Sequence, residues 1–215
     1  MNDELLIEPV DCTRSSIIKV IGVGGGGGNA VANMYCEGLH DVRFLVCNTD
    51  RKALESSAVP DRLQLGPGLG AGGDPETGRA LAEGDLEAID DIFDEDTKMV
   101  FITAGMGGGT GTGASPIIAR EAKSRGLLTV AIVTIPFLFE LQRQVDKALD
   151  GVERLAKEVD AILVINNERL REIYPALTVI NACKKADETL TKAVGSIVEI
   201  IKMRGRVNLD FRDVN

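Results

Sequence analysis

The chain has 215 residues, of which 44% are hydrophobic and 4% aromatic, and its formal net charge is −9. The hydrophobic content is sufficient for a globular core. A nucleic-acid-binding surface requires clustered Lys and Arg, and the negative net charge argues against one. The acidic residues 1–11 lack the apolar core of a signal peptide, and no apolar run is long enough to span a membrane. The sequence therefore predicts a soluble, cytoplasmic protein that neither binds nucleic acid nor inserts into a membrane.

Histidine and cysteine, the usual ligands of zinc, are few and widely spaced. His40 is the only histidine, which excludes a His-pair metal site and argues against a Ser-His-Asp triad. The four cysteines have no C-x-x-C spacing and indicate neither a zinc site nor a disulfide framework; they are Cys12, Cys36, Cys47 and Cys183. We predict reduced cysteines in a cytosol and no metal site built from protein ligands alone.

Short apolar runs alternate with helical patterns along most of the chain. Strands are predicted at residues 17–23, 42–47, near 63, 99–103, 127–135 and 161–165, and helices at 30–38, from 75, at 114–123 and from the segment 136–140 to about 157. Apolar strands that alternate with helices indicate a parallel sheet covered on both faces, which is an α/β, Rossmann-like fold. Ligands of such folds bind at the carboxyl ends of the strands.

The pattern changes after residue 175. Leu190, Val194, Val198 and Ile201 recur at helical spacing, which predicts a long helix of about 23 residues and roughly 35 Å. Its apolar face requires a partner, either the sheet or a segment beyond the end of the chain.

Three glycine-rich segments follow predicted strands, at residues 24–28, 66–73 and 105–113. Glycine lets backbone N–H groups approach an anion closely, and the helix that follows adds unpaired N–H groups and the positive end of its dipole. The segment 105–113, Gly-Met-Gly-Gly-Gly-Thr-Gly-Thr-Gly, is bounded by a strand and a helix rather than by polar sequence. It therefore predicts a site for the phosphate tail of a nucleotide and not a flexible linker.

Two other classes of nucleotide-binding protein also have glycine-rich segments. Gly22-x-Gly24-x-x-Gly27 matches the dinucleotide fingerprint, with Asp50 as the candidate ribose-binding acid, so an NAD-dependent dehydrogenase stays an alternative. The match is weak because five consecutive glycines satisfy many patterns. A P-loop NTPase is excluded because no Gly-Lys-Ser or Gly-Lys-Thr follows a glycine run. Backbone N–H groups, helix dipoles and a metal ion would then hold the phosphates.

The chain resembles the FtsZ family of bacterial cell-division GTPases, which is related to tubulin. The resemblance rests on residues 22–31, on residues 105–113 and on Asn-Leu-Asp-Phe-Arg-Asp at 208–213, and it extends from about residue 17 to the last residue. Asn-Thr-Asp at 48–50 and Pro-Phe-x-Phe-Glu at 136–140 occur in the order of the family. The resemblance implies a cytoplasmic GTPase at the division site that binds GTP or GDP and assembles head to tail.

The resemblance also implies a set of nucleotide-binding residues. The phosphates would be held by Gly25, Gly26, Gly27, Gly28, Asn29, Gly107, Gly108, Gly109, Thr110 and Gly111, with Ala71, Gly72, Gly73 and Asp74 near the terminal phosphate and Mg²⁺. The phosphates and water would hold most of the Mg²⁺ coordination. Glu140 would accept hydrogen bonds from the ribose, and Asn167 and Asp187 would bind the guanine edge. A carboxylate can accept from both guanine N–H groups, whereas adenine presents an acceptor there.

Two positions depart from the family pattern. Leu141 stands where the family usually has glycine, and Gln144 stands where it usually has an arginine that contacts the nucleotide. Arg143, one residue earlier, is the candidate substitute for that arginine. A neutral Gln cannot replace a charge-assisted hydrogen bond, so we expect a weaker contact with the nucleotide at Gln144.

The resemblance places the catalytic acids near the end of the chain. Asp210 and Asp213 would position the attacking water with help from Asn208, in a loop that enters the nucleotide site of the next subunit. Such a head-to-tail contact propagates into a filament, and catalysis depends on positioning and electrostatics.

The implied organisation has four parts. They are a flexible tail at 1–15, a GTP-binding domain at 16–177, a core helix at 178–204 and a catalytic loop at 205–215. We expect that a second domain, and a tail that binds other division proteins, are missing from this chain. A nucleotide-binding module without turnover therefore stays open as an alternative function.

Overall fold

A computed structural model describes residues 17–39, 42–174 and 178–202 of the chain. Six strands form one sheet with the order β3-β2-β1-β4-β5-β6, and every adjacent pair is parallel. The strands are β1 (Ile18–Val23), β2 (Arg43–Asn48), β3 (Arg62–Gln64), β4 (Met99–Gly105), β5 (Leu128–Ile135) and β6 (Ala161–Asn166). The predicted α/β fold with a parallel sheet is confirmed.

Helices connect the strands and follow the sheet. They are α1 (Gly24–Cys36), α2 (Arg51–Glu55), α3 (Pro75–Gly84), α4 (Leu86–Asp90), α5 (Gly109–Ser124), α6 (Gln142–Ala156), α7 (Asn167–Ile173) and α8 (Val179–Lys202), with a 3₁₀ helix at Leu138–Glu140. The 24 residues of α8 agree with the predicted long helix.

The strands bury both of their faces through alternating side chains. Ile18 and Val20 of β1 belong to one core cluster, and Ile21 and Val23 belong to the other. The first cluster includes residues of α1, α2 and α8, and the second includes residues of α3, α4, α5 and α6. The sheet is therefore the partner of the apolar face of α8, whose buried contributors are Leu190, Val194 and Val198.

Strand β6 departs from the prediction of a sheet covered on both faces. Leu163 is 42% exposed and Val164 is 37% exposed, and consecutive strand residues point to opposite faces. Strand β6 is one of the two edge strands and pairs only with β5, and the described helices cover it incompletely on both sides. An apolar run in the sequence does not distinguish an edge strand from a central one.

The helices after two glycine-rich segments begin earlier than predicted. Helix α1 begins at Gly24 rather than at residue 30, and α5 begins at Gly109 rather than at residue 114. Glycine costs about 1 kcal/mol in a helix interior relative to alanine, which is why propensity favoured loops at these positions. Packing outweighs this cost, because a Cβ atom at Gly27 would overlap the carbonyl oxygen of Thr103 in β4.

Candidate nucleotide-binding site

The three glycine-rich segments meet at the carboxyl edge of the sheet. Helix α1 follows β1 directly, α5 follows β4 after three residues, and residues 66–73 lead from β3 into α3. The first turns of α1 and α5 are in direct contact, since a Cβ atom at Gly24 would lie 2.9 Å from the backbone nitrogen of Gly111. The N-termini of α1 and α5 therefore lie next to each other at the carboxyl edge of the sheet.

These two helix starts have free hydrogen-bond donors. In the described part of the chain, neither N-cap residue, Val23 for α1 or Gly108 for α5, provides a side-chain cap, and no acidic residue lies in either first turn. Helix α3 is different, because the Asp74 carboxylate accepts from the N–H of Thr77 at 3.1 Å. Unpaired N–H groups and two helix dipoles make the contact between α1 and α5 favourable for an anion.

The predicted phosphate-binding glycines serve two different purposes. A Cβ atom at Gly26, Gly27, Gly107, Gly109 or Gly111 would crowd neighbouring atoms of the fold. Among the described residues, no atom lies within 4 Å of the Cβ position at Gly25, Gly28, Gly72, Gly73 or Gly108. The first group is needed for close packing, and the second leaves space that a ligand can approach.

The segment 66–73 packs against the start of α5. A Cβ atom at Gly109 would lie 2.8 Å from the Cβ atom of Ala71 and 3.0 Å from the backbone nitrogen of Asp74. Lys147 of α6 donates to the carbonyl oxygen of Gly73 at 2.6 Å. The hydrogen bonds from Thr77 lower the pKa of Asp74, whose Oδ2 caps α3. The structure thus brings residues 71–74 next to the predicted phosphate-binding glycines.

Two predicted residues from distant parts of the chain form a pair. The side chain of Asn29 in α1 lies close enough to the Asp187 carboxyl of α8 to affect its pKa. Burial raises the pKa of Asp187 to about 6, and the polar side chain of Asn29 acts in the opposite direction. A carboxylate that has lost part of its hydration gains strongly from further N–H donors. Asp187 is therefore suited to bind a ligand that presents such donors.

Asn167 is buried at the start of α7, with 6% of its surface exposed. Its Oδ1 atom has no hydrogen-bond partner among the residues that the structure describes. A small apolar cluster holds the surrounding elements together and contains Phe137, Leu170, Ala182 and Ala186. Because buried amide oxygens are normally paired, this atom is a candidate acceptor for a ligand. Asn167 and Asp187 are not hydrogen bonded to each other, so each would bind the guanine separately.

Glu140 is partly used by the fold itself. Its Oε1 accepts from the backbone N–H of Phe137 at 3.0 Å and closes the 3₁₀ helix. The other carboxylate oxygen is the one that a ribose hydroxyl could approach. The next residue, Leu141, has φ +85°, a conformation that favours glycine. The backbone at position 141 therefore suits glycine better than leucine.

The two candidates for the missing arginine lie on the first turn of α6. Arg143 is exposed and has no ion pair among the described residues. The Oε1 atom of Gln144 is buried and has no partner in the same set of residues. A Cβ atom at Gly107 would lie 2.8 Å from the backbone oxygen of Gln144. Position 144 therefore adjoins the predicted phosphate-binding segment.

The structure places two residues near the site that were not predicted to belong to it, Thr49 and Cys183. The Oγ1 atoms of Thr49 and Thr110 are 2.6 Å apart and buried. Burial, and then the charges of Glu140 and Asp187, raise the pKa of Cys183, which lies one helical turn before Asp187. The sequence signal for Thr49 was its position directly after a strand. The signal for Cys183 was its i, i+4 spacing from Asp187 on a helix.

A cavity of about 230 Å³ adjoins the start of α1. Gly25, Gly28 and Asn29 line it, and the rest of its lining comes from Gly24, Ala32 and residues of β2 and α2 and the segments beside them. Asp50, the ribose-binding acid of the dehydrogenase alternative, uses Oδ1 to accept from the N–H of Lys52 at 2.9 Å and so caps α2.

The predicted catalytic residues Asn208, Asp210 and Asp213 lie outside the described residues. Within the described ranges, no three side chains of His, Cys, Asp or Glu are grouped in a way that could hold a metal ion. No helix in those ranges is both long enough and apolar enough to cross a membrane.

Residues 17–175 match the family described as the Tubulin/FtsZ family, GTPase domain. The chain belongs to this family. The cell division protein FtsZ of Porphyromonas gingivalis is 58% identical over 221 residues, which cover 100% of this chain and 48% of that protein. The protein of the same name from Aquifex aeolicus is 48% identical over 202 residues, covering 92% of this chain and 55% of that protein. The chain spans about half the length of these curated relatives.

Solved structures of the Tubulin/FtsZ type have the same fold. An empty FtsZ dimer from M. jannaschii superposes with a TM-score of 0.87 at 41% identity, over 93% of this chain and 59% of that one. A CetZ2 protofilament from Haloferax volcanii with bound GTPγS gives a TM-score of 0.77 at 25% identity, over 92% and 61% of the two chains. The predicted resemblance to the FtsZ/tubulin superfamily is confirmed.

Proposed function

We propose that this chain binds GTP and forms the nucleotide-binding part of a filament-forming GTPase of bacterial cell division. The observation that carries the proposal is the direct contact between the uncapped N-termini of α1 and α5. Two helix N-termini are suited to a polyphosphate because each adds N–H donors and positive potential. The relatives named cell division protein FtsZ and the GTPγS-bound CetZ2 protofilament support the same nucleotide and the same kind of assembly.

The phosphate tail would lie against the glycines that leave space for it. Gly25, Gly28 and Gly108 would present backbone N–H groups, and Thr110 would add a hydroxyl. Residues 71–74 would lie near the terminal phosphate, because they pack against Gly109 at the same helix start. The packing glycines Gly26, Gly27, Gly107, Gly109 and Gly111 would hold the backbone in this arrangement.

Guanine would be recognised by side chains of α7 and α8. The Asp187 carboxylate would accept from the two N–H groups of the guanine edge, and Asn29 would keep the carboxylate in position. Asn167 would hydrogen bond to the base, and the free oxygen of Glu140 would accept from the ribose. Adenine would leave the half-buried carboxylate facing an acceptor, which costs binding free energy.

Magnesium would neutralise phosphate charge during hydrolysis. The described residues contain no cluster of carboxylates for it, and Oδ2 of Asp74 is engaged by Thr77. This donor set fits an ion held mainly by phosphate oxygens and water, with residues 71–74 nearby. The task of the chain is then to position the phosphates through its backbone.

Hydrolysis would require the next subunit of a filament. The loop 205–215 of one subunit would place Asp210 and Asp213, with Asn208, at the nucleotide of its neighbour. Their oxygens would orient a water molecule that attacks the terminal phosphorus, while the bond to the bridging oxygen breaks and releases GDP. A head-to-tail contact of this kind forms open filaments. The GTP-binding domain at 16–177, the core helix at 178–204 and the flexible tail at 1–15 complete the proposed organisation.

A second candidate is nucleotide binding without turnover. It is favoured by the length of the chain, which corresponds to 48% and 55% of two relatives. Other division proteins would be partners of the whole protein, which would function in the cytoplasm at the division site.

Phosphate release from GTP, measured per subunit over a wide range of protein concentration, tests the proposal. We expect the specific activity to rise with concentration and to vanish in Asp210→Asn. The matched control is Asp96→Asn, an exposed acid before β4, which should leave activity unchanged. Retained GTP binding without activity would favour the second candidate. Substantial activity that is independent of concentration would contradict a site shared between subunits.

A further inference from the structure

Thr49 connects two parts of the candidate site through a single residue. It follows β2, it is buried, and its Oγ1 atom lies 2.6 Å from the Oγ1 atom of Thr110 in the first turn of α5. Thr110 is one of the predicted phosphate-binding residues. The orientation of its hydroxyl is therefore linked to a side chain that the phosphate itself would not contact.

The backbone of Thr49 makes the second connection. Its carbonyl oxygen accepts from the N–H of Gly70 at 2.9 Å, and the N–H of Arg51 donates to the carbonyl oxygen of Gly68 at 3.1 Å. Asp50 and Leu69 also form an antiparallel β-bridge. Residues 49–51 are thus bonded along the segment 66–73, which continues into the residues predicted to lie near the terminal phosphate.

We infer that Thr49 is a positioning residue for the terminal phosphate of the nucleotide, acting through Thr110 and through the segment 66–73. The inference rests on the proposed GTP site. A threonine hydroxyl carries one proton, so if Thr110 donates to a phosphate oxygen, the proton shared by the two threonines comes from Thr49. The Thr49 hydroxyl then donates to Thr110, and this chain of hydrogen bonds fixes and strengthens the donor that faces the phosphate.

The two connections make Thr49 more important for a triphosphate than for a diphosphate. Both nucleotides would meet the N-termini of α1 and α5. Only the terminal phosphate would also reach residues 71–74, which Thr49 holds in place through Gly70. Loss of the hydroxyl keeps the backbone bond between Thr49 and Gly70 but breaks the connection from Thr110 to the segment 66–73. The preference for triphosphate over diphosphate should then decrease.

Nucleotide affinities of Thr49→Val and Thr49→Ser test the inference. Valine has the shape of threonine without the hydroxyl, whereas serine keeps the hydroxyl. With Mg²⁺ present, we expect Thr49→Val to bind GTPγS about tenfold more weakly and GDP less than about threefold more weakly, as for loss of one hydrogen bond in a charged network. Thr49→Ser should restore both affinities to within about threefold of the original chain.

The matched control is Thr97→Val. Thr97 is buried before β4, at the end of that strand away from the glycine-rich segment, and its hydroxyl has no partner among the described residues. This variant should keep both affinities. It separates removal of a buried hydroxyl in general from removal of the link between Thr49 and Thr110.

The outcomes distinguish this inference from the proposed function. If the original chain binds neither GTPγS nor GDP, the proposed function fails. If it binds both and Thr49→Val keeps their ratio, or if Val and Ser weaken binding equally, the inference is overturned while the GTP site stands.

Hydrogen exchange of the original chain tests the link between the terminal phosphate and residues 66–73 without a variant. Peptides covering residues 66–73 should gain more protection with GTPγS than with GDP. Equal protection with the two nucleotides would overturn the inference.

Discussion

The two ends of the candidate site are built in different ways. The phosphate end consists of backbone atoms at the starts of α1 and α5, where glycines such as Gly27 and Gly111 allow contacts that no other residue fits. The proposed base end consists of side chains from separate helices, and the Oδ1 atom of Asn167 there lacks a partner within the described ranges. The first arrangement is inseparable from folding, whereas the second can change with little effect on the fold. Substitutions at the two ends should therefore have different consequences.

The largest effect is expected where a packing glycine is replaced. Gly27→Ala should lower the free energy of unfolding by about 3 kcal/mol, because the new Cβ atom overlaps the backbone of Thr103. Gly28→Ala should raise it by about 0.5 to 1 kcal/mol, because alanine favours the helix and the Cβ position is open. Urea denaturation of the two variants measures the difference. Equal effects would show that the distinction between packing and open glycines is wrong.

Replacement of Asp187 should have the next largest effect, with weaker GTP binding but a more stable fold. Asp187→Asn should weaken GTP binding roughly 10- to 100-fold, because the amide cannot accept from both guanine N–H groups. The same variant should be more stable than the original chain at pH 8. Burial raises the pKa of Asp187 from 3.8 to about 6, because ionisation is unfavourable in the folded state. The free energy of unfolding therefore decreases as the pH rises through this range and stays lower above it.

Urea denaturation at pH 8 and pH 5, together with titration of a fluorescent GTP analogue, checks both signs. The stability gain of Asp187→Asn should be smaller at pH 5, where the original carboxyl is mostly protonated. Asp96→Asn, which replaces an exposed acid, is the control. A simultaneous loss of affinity and stability at pH 8 would assign Asp187 to the fold rather than to the base site.

A smaller gain is expected from restoring the arginine of the family. Gln144→Arg should raise GTP affinity about tenfold, because a charge-assisted bond to the nucleotide replaces a neutral one. Gln142→Arg adds the same charge at an exposed position two residues earlier and serves as the control. Equal gains in the two variants, measured by calorimetry, would indicate a general effect of charge instead of a contact at position 144.

The smallest effect is expected at Leu141, between the 3₁₀ helix and α6. Leu141→Gly should raise the free energy of unfolding by about 1 kcal/mol, because glycine adopts φ +85° without the strain that leucine carries. Leu141 is 70% exposed, so little buried area is lost. Leu141→Ala keeps a Cβ atom and should give no gain. Thermal or urea denaturation that ranks Ala above Gly would contradict the backbone explanation.

The fold was predictable because apolar strands and helices alternate along the chain, and the carboxyl edge of the resulting sheet followed from that order. The starts of α1 and α5 were predicted incorrectly, because helix propensity cannot register that Gly27 packs against Thr103. At the base end, the sequence alone made Asp187 a solvated charge, and only the family resemblance indicated its role. Its pairing with Asn29 depends on α8 lying beside α1, a contact between residues 158 positions apart.

Comparison of GTP and ATP binding to the unmodified chain is the most direct test of guanine selectivity. Calorimetric titrations at pH 7.5 with Mg²⁺ would measure both dissociation constants under the same conditions. We expect GTP to bind at least about 100-fold more tightly than ATP, because the Asp187 carboxylate can accept from the guanine N–H groups and faces an acceptor on adenine. Equal affinities would contradict a guanine-selective base end and would leave only a general polyphosphate site at the starts of α1 and α5.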